Sequence, residues 1–181
     1  MKKYKKCVFL DRDGVINEDR GYIFNIKDFK IYPHTGKAIK YLNDNNYLVI
    51  LITNQAGIGR GLITLGELSS IHGYLKKIVK KNNAIINDIY FCPFHPTHGV
   101  GKYKKKTQDR KPGSGMIKKA IKKWKIDINA SFMIGDRKKD LLCAKGGGVK
   151  FYYKSKKKNL YQQLKEIVKK NSYFINLLNI K

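Results

Sequence analysis

The chain has 181 residues, a length that favours one domain over residues 1–181 with a sizeable hydrophobic core. Its apolar share of 42% is ordinary, and no uninterrupted apolar run approaches the roughly 18 residues of a membrane span. The net charge of +26 would favour anionic partners. The excess lysine is spread along the chain, however, so we attribute it to surface composition and expect no specific nucleic-acid partner and no membrane partner.

The cysteines and the N-terminus indicate the compartment. Cys7, Cys92 and Cys143 have unrelated spacings, which argues against a disulfide framework and for a reducing environment. The basic N-terminus is followed by a short apolar run, 7–10, before charge resumes, so it does not resemble a signal peptide. We therefore expect a soluble, cytoplasmic protein.

Short apolar runs predict the strands of a parallel sheet. Residues 7–10 and 47–52 are continuously apolar, as expected for strands that are covered on both faces. Similar runs occur at 131–135 and 149–153, and 85–91 is a less regular candidate.

Helical patterns separate these strands. The first helix is expected over 35–46, with Thr35 as its N-cap. Thr64 and Glu67 form a capping-box pattern ahead of an amphipathic stretch. The same periodicity recurs in two later segments, 116–124 and 160–168. Alternating strands and helices predict an α/β fold with a doubly wound parallel sheet sandwiched by helices, in which ligands bind beyond the carboxyl ends of the strands.

Two segments do not follow this alternation. Residues 92–115 are rich in Gly, Pro, His and Lys and lack periodicity, so we expect a functional loop there. Residues 154–181 contain a lysine-rich helix and an apolar end, 173–180, which we expect to pack on the edge of the sheet.

Polar side chains follow the predicted strands where the carboxyl ends should meet. They are Asp11 and Asp13, Thr53 and Asn54, and Asp136, joined by Arg110 and Lys111 at the end of the long loop. Clustered carboxylates repel one another unless a cation lies between them, and ligand sets made only of oxygen suit Mg²⁺. The sequence therefore predicts a magnesium site bordered by basic groups.

This group of residues can carry out phosphoryl chemistry. With Mg²⁺ bound, Asp11 stays ionised and can attack phosphorus, while Lys111 offsets the charge of the phosphoryl oxygens. Thr53 and nearby backbone amides can hydrogen-bond the same oxygens. Asp13 is placed to protonate the leaving oxygen and then to take a proton from water.

Four motifs in order give the chain a family resemblance. They are D-x-D-G at 11–14, "TNQ" at 53–55, the basic residue Lys111, and "GDRKKD" at 135–140. The chain thereby resembles the haloacid dehalogenase-like phosphatases. The stretches "FLDRDGVIN", "TNQAGIGRG", "YFCPFHP" and "DRKPGSGMI" are similar to the D-glycero-D-manno-heptose 1,7-bisphosphate 7-phosphatases and the related histidinol-phosphate phosphatases, up to about residue 150. The resemblance implies a Rossmann-like domain without a large cap, and a monomer.

The resemblance also implies roles for individual residues. Asp11 would be the nucleophile and Asp13 the acid/base, while Asp11, Asp13 through its carbonyl, and Asp136 would hold Mg²⁺. Thr53 and Lys111 would stabilise the phosphoryl group. The substrate would contact a larger set, Asp19, Arg20, Gly21, Tyr22, Thr53, Asn54, Gln55, Ala56, Arg110, Lys111 and Arg137.

The long loop departs from the family pattern, which usually includes a zinc site. Cys92 is the one family ligand clearly retained, position 94 is phenylalanine, and 107–109 lack the later cysteines. An improvised donor set is conceivable from Cys92, His95, His98 and Asp109. We expect instead a loop without zinc, held by hydrogen bonds and by packing of Phe94 or Tyr103.

Three residues outside these roles have structural interpretations. Asp140 is expected to support the magnesium site from outside the ligand set or to cap a helix. His34 and His72 lie outside the motifs, and we interpret both as surface or hydrogen-bonded structural histidines.

The expected function is Mg²⁺-dependent removal of the 7-phosphate of D-glycero-D-manno-heptose 1,7-bisphosphate through an aspartyl-phosphate, in the pathway to lipopolysaccharide core sugar. "DRGY" at 19–22 resembles the substrate loop of that subgroup, and we expect no fused dehydratase domain. Three alternatives remain: a histidinol-phosphate phosphatase, a polynucleotide 3′-phosphatase, and a homologue kept for interaction after losing activity.

Overall fold

The computed structural model describes residues 4–178, and side chains through residue 171. The strands are β1 (Cys7–Leu10), β2 (Leu48–Asn54), β3 (Asp88–Cys92), β4 (Phe132–Gly135) and β5 (Lys150–Tyr153). The α-helices are α1 (Thr35–Asp44), α2 (Ala56–Gly59), α3 (Leu65–Lys80), α4 (Gly115–Trp124), α5 (Lys138–Gly146) and α6 (Leu160–Leu178).

The strands form one parallel sheet in the order β3-β2-β1-β4-β5. This order confirms the expected doubly wound α/β fold, because the chain runs outward from β1 in both directions. The less regular candidate at 85–91 is a strand shifted to Asp88–Cys92, which pairs with the end of β2. The carboxyl ends of β1, β2 and β4 therefore lie side by side at the centre of the sheet.

Alternate side chains of the central strands enter two separate cores. Val8 and Leu10 belong to a core with residues of α1, α3 and α6, whereas Cys7 and Phe9 face a second core with residues of α4 and α5. The two-residue period of a strand sends neighbours to opposite faces. Because both faces are covered, the central strands are apolar throughout, which explains the continuous runs in the sequence.

Helix starts agree with the sequence in one case and differ in another. At α3, the Thr64 side chain accepts a hydrogen bond from Glu67 N and the Glu67 side chain accepts one from Thr64 N, so the capping box is confirmed. The expectation that Thr35 caps α1 is wrong, since His34 is the N-cap residue and Thr35 is the first residue of the helix. The Thr35 hydroxyl donates instead to Ile16 O at 2.8 Å, which ties α1 to the loop after β1.

The sequence patterns missed α2 and α5, which are short and lie directly beyond strand ends. A lysine-rich helix is present as α6, while the expected packing of the apolar end, 173–180, lies outside the described side chains. Among the described residues, no helix combines the length and the hydrophobicity that crossing a membrane requires.

Candidate active site

The loop that leaves β1 places Asp11 at the centre of the sheet edge. Asp11 N donates to Ile134 O of β4 at 3.0 Å, so the ladder between these strands continues into the loop. Arg12 N then donates to Asp11 Oδ1 at 2.7 Å. Asp11 is only 4% exposed, and the backbone thus fixes a buried carboxylate between two strands.

Lys111 joins two of the aspartates beneath the site. Its Nζ lies 2.7 Å from Asp11 Oδ1 and 2.7 Å from Asp140 Oδ1, and it donates to Ile52 O at 2.9 Å. A reciprocal pair of 3.0 Å hydrogen bonds between Asn54 and the Lys111 backbone anchors this lysine to β2. Burial by itself lowers the pKa of Lys111, but the charges of Asp11 and Asp140 raise it above its ordinary value. The lysine therefore remains a buried cation.

Asp11, Asp136 and Asp140 meet beside this lysine. Each offers one carboxylate oxygen, and the three oxygens lie within 4.8 Å of one another. In the described part of the chain, Asp136 Oδ1 is buried without a hydrogen-bond partner. Burial raises the pKa of Asp11 to about 6, and burial together with the charge of Asp140 raises that of Asp136. These carboxylates carry more negative charge than Lys111 offsets, so the oxygen set fits Mg²⁺.

A glycine makes room for the third strand-end carboxylate. Gly14 has φ +82°, and a Cβ at this position would lie 2.5 Å from Asp136 Oδ2. The D-x-D-G turn therefore requires glycine for its backbone conformation and for the approach of Asp136. This turn brings carboxylates from β1 and β4 together.

The Asp13 side chain is held by a network of donors. Asn17 Nδ2 donates to Oδ1 at 2.9 Å, and Gln55 Nε2 donates to Oδ2 at 3.0 Å and to Thr53 Oγ1 at 2.9 Å. Arg12 donates to both carboxylate oxygens. Asp13 is 18% exposed at the side chain and lines the cavity described next, so its carboxylate is both fixed and accessible.

A cavity of about 260 Å³ opens above Asp11 and Asp13. Most residues that were expected to contact substrate line it: Asp19, Gly21, Tyr22, Thr53, Asn54, Ala56, Arg110 and Arg137. Lys139 also lines it, although the sequence analysis gave this residue no role. The cavity thus combines acidic groups at its base with basic groups around it.

Three of the expected residues do not line the cavity. Arg20 is exposed and pairs with Glu18 at 2.7 Å, and neither residue lines the cavity. Gln55 contacts Asp13 and Thr53 instead, and Lys111 lies buried behind Asp11. Gln55 and Lys111 are therefore placed to act through other side chains.

Two pairs hold the loop over 18–22 across the cavity. Arg137 donates to Asp19, which links this loop to the segment after β4. Arg60 donates to the hydroxyl of Tyr22, and its guanidinium carbon lies 5.5 Å from the centre of that ring. A phosphate group entering the cavity would compete with Asp19 for Arg137.

The donors considered for an improvised zinc site, which was the alternative to the expected loop without zinc, do not form a cluster among the described residues. In the described structure, Asp11, Asp136 and Asp140 form a group of His, Cys, Asp or Glu side chains close enough to share a metal ion. No residue of 92–109 belongs to such a group. His95 Nδ1 accepts from Thr97 N and His98 N, and Asp109 pairs with Lys119. The expected packing in this loop is confirmed, because the rings of Phe94 and Tyr103 lie 5.9 Å apart.

Sequence reasoning understated Asp140 and overlooked Arg12. The expectation that Asp140 caps a helix is confirmed, because its Oδ2 accepts a hydrogen bond from Arg137 N at 3.0 Å at the start of α5. Its carboxylate is also the second one that pairs with the Lys111 side chain, beside that of Asp11. For Arg12 the available signal was its position between Asp11 and Asp13, directly after the apolar run 7–10.

Comparisons with known proteins show the family of this chain. A family model described as polynucleotide kinase 3 phosphatase matches residues 6–171. A D-glycero-beta-D-manno-heptose-1,7-bisphosphate 7-phosphatase of Haemophilus ducreyi is 43% identical over 147 residues, which cover 81% of this chain and 80% of that protein. A D-glycero-alpha-D-manno-heptose-1,7-bisphosphate 7-phosphatase of Burkholderia mallei is 39% identical over 144 residues, covering 80% and 76%.

Among solved structures, the D,D-heptose 1,7-bisphosphate phosphatase of B. bronchiseptica, complexed with magnesium and phosphate, matches with a TM-score of 0.76. The match covers 91% of this chain and 99% of that chain at 23% sequence identity. At this identity the likeness concerns the fold, and it agrees with the strand order and the absence of a large cap within the described residues.

Proposed function

This chain belongs to the heptose bisphosphate phosphatase family of haloacid dehalogenase-like phosphatases and is a phosphoric monoester hydrolase, and we propose that it removes the 7-phosphate of D-glycero-D-manno-heptose 1,7-bisphosphate. The observation that supports this substrate is the composition of the cavity, where Arg110 and Arg137 lie together with Asp11 and Asp13. Guanidinium groups pair well with phosphate, so two of them suit a substrate that keeps one phosphate while losing the other.

The reaction proceeds in two half-reactions on two aspartates. The Asp11 carboxylate attacks phosphorus and forms an O–P bond while the bond from phosphorus to the sugar oxygen breaks, and Asp13 gives its proton to that oxygen. Asp13 then takes a proton from water, whose oxygen attacks the same phosphorus. The bond between Asp11 and phosphorus breaks, which releases inorganic phosphate, restores the Asp11 carboxylate and leaves Asp13 protonated for the next turnover.

The surrounding side chains orient these groups. Lys111 holds Asp11 and offsets part of the negative charge that gathers around phosphorus. Thr53, fixed by Gln55, is placed to donate to a phosphoryl oxygen. Asp11 and Asp136, with the backbone carbonyl of Asp13, would hold Mg²⁺, and Asp140 would brace the set through Lys111. A bound Mg²⁺ supplies positive charge that neutralises the phosphoryl oxygens.

A substrate panel tests this assignment. Phosphate release is measured with Mg²⁺ present for the heptose bisphosphate, histidinol phosphate and an oligonucleotide carrying a 3′-phosphate. We expect the highest kcat/KM for the heptose bisphosphate. A much higher value for histidinol phosphate would overturn the heptose assignment while leaving the phosphatase chemistry intact.

Matched arginine variants test whether the cavity binds the phosphate that is not cleaved. Arg110→Gln and Arg137→Gln should raise KM for the heptose bisphosphate by about tenfold, and KM for the heptose 7-monophosphate by much less. Arg20→Gln serves as the control, because Arg20 is exposed and does not line the cavity. Equal effects of both cavity variants on the two substrates would contradict a subsite for the phosphate that is not cleaved.

The oligonucleotide substrate tests the remaining candidate. The family model is named for polynucleotide 3′-phosphatases, and the net charge of +26 attracts any nucleic acid. We propose that this attraction is nonspecific, and that the protein is a cytoplasmic monomer without a membrane partner. Binding to the oligonucleotide should then disappear at physiological salt. Retained binding together with rapid release of the 3′-phosphate would favour the nucleic-acid function instead.

A further inference from the structure

Arg12 is a buried charge to which the proposed chemistry gives no part. It is 1% exposed, and its guanidinium carbon lies 5.4 Å from the centre of the Phe29 ring. Three of its contacts go to Asp13: Nε lies 3.1 Å from Oδ1, and Nη2 lies 3.0 Å from each carboxylate oxygen. A planar guanidinium fixes both the position and the plane of a carboxylate that it contacts in this way.

The far side of this guanidinium contacts a histidine on another element. Arg12 Nη1 lies 3.2 Å from Nε2 of His72 on α3, and His72 is 8% exposed. Since arginine carries donors alone, the contact requires Nε2 to be the acceptor, and the ring proton then belongs on Nδ1. Burial and the charge of Arg12 lower the pKa of His72 to about 3, which agrees with a neutral ring.

We infer that Arg12 is a positioning residue that orients the Asp13 carboxylate for proton transfer, and that His72 acts on Asp13 by holding Arg12. The inference rests on the proposed function, because it presumes that Asp13 is the acid/base. The resulting chain of contacts runs from α3 through the core to the base of the cavity, and it ends on the one member that lines the cavity, Asp13.

A purely structural role explains this arrangement less well. Taking a guanidinium and an imidazole out of water is costly, and apolar side chains of similar volume usually fill such space at no loss of stability. A purely structural arginine would not need to contact a catalytic carboxylate in particular, yet Arg12 makes three contacts with Asp13. Proton transfer depends on orientation, so fixing this carboxylate has a direct consequence for turnover.

p-Nitrophenyl phosphate separates the two half-reactions. Its leaving group departs without protonation, so release of p-nitrophenolate reports phosphorylation of Asp11 alone. Continued turnover still requires Asp13 to take a proton from water. A badly oriented Asp13 should therefore leave a burst of about one p-nitrophenolate per active site followed by a slow steady state, measured by rapid mixing with Mg²⁺ present.

Variants of His72 keep the test away from the metal ligands. His72→Leu removes the acceptor and should slow the steady state about tenfold, with the burst retained and kcat/KM little changed, because kcat/KM reports the phosphorylation of Asp11. His72→Gln keeps an acceptor for Arg12 and should recover most of that rate. Lys77→Gln, on the exposed side of the same helix, is the matched control. Arg12→Lys should slow the steady state more than His72→Leu, and the His72 pair decides the question if Arg12→Lys does not fold.

The Asp13→Asn variant separates two kinds of failure. A burst without further turnover in Asp13→Asn supports its acid/base role. If His72→Leu then loses burst and steady state in parallel, or changes neither, His72 is structural and the positioning inference is overturned. If Asp13→Asn itself turns over like the wild type, Asp13 is not the acid/base, and that part of the proposed function falls together with the inference.

Discussion

The Lys111 side-chain nitrogen lies 2.7 Å from Asp11 Oδ1, with both residues almost completely buried. Asp11 is the candidate nucleophile, and Asp140 contacts the same lysine nitrogen at 2.7 Å. A lysine in this position holds Asp11 in place and keeps two buried carboxylates from facing one another without a cation.

Replacing Lys111 should therefore destabilise the folded protein. Lys111→Met leaves Asp11 and Asp140 without their cation, so the free energy of unfolding should fall by about 3–5 kcal/mol in urea titrations. Lys119→Met is the control: Lys119 is exposed and its partner Asp109 is partly exposed, so the loss of this pair should change the same free energy by less than about 1 kcal/mol. Adding Asp140→Asn to Lys111→Met should restore part of the loss, and a further loss would contradict this account.

Magnesium should stabilise the fold through Asp136. At a concentration 100-fold above its dissociation constant, Mg²⁺ should raise the free energy of unfolding of the wild type by about 2.7 kcal/mol, and EDTA should remove this gain. Asp136→Asn should show little or no gain, whereas Asp44→Asn, which alters an exposed pair with Lys40, should respond like the wild type. An equal gain in Asp136→Asn would exclude Asp136 from the ligand set.

Gly14 and Gly21 form a matched pair for testing the approach of Asp136. Both have positive φ, at +82° and +78°, so replacement by alanine should cost each about 1–2 kcal/mol of conformational strain. A Cβ at Gly14 also meets Asp136, whereas a Cβ at Gly21 has no atom within 4 Å. Gly14→Ala should therefore weaken Mg²⁺ binding in calorimetric titrations. Gly21→Ala should leave Mg²⁺ binding unchanged, and equal binding in both variants would refute the crowding argument.

His72 should make stability depend on pH. Its pKa falls from 6.5 to about 3 in the folded protein, so the unfolded chain binds more protons between these values. The free energy of unfolding should consequently decrease as pH falls through this window, by up to about 1.4 kcal/mol per pH unit. Between pH 7 and pH 5, the wild type should lose about 2 kcal/mol more than His72→Gln in urea titrations. Parallel losses would show that His72 is not buried as a neutral ring.

The amino-acid sequence by itself determined the sheet and the identity of the strand-end aspartates. Apolar runs that are covered on both faces have few alternatives to parallel strands, and the residues that end such strands must gather at one edge of the sheet. That reasoning placed Asp11, Asp13 and Asp136 correctly at the base of one cavity or beside it. It could also assign the capping box of α3, because a cap depends on residues three apart.

The tertiary structure decided which side chains support those aspartates. Arg12 meets His72 across 60 positions of sequence, and Lys111 lies between Asp11 and Asp140. Such contacts depend on how α3 and α5 pack against the sheet, and no local period in the sequence encodes that packing. The same holds for Arg20, which shares a loop with Asp19 yet turns towards Glu18. Local patterns fix where a backbone goes, whereas the partners of a buried charge follow from the packing of distant elements.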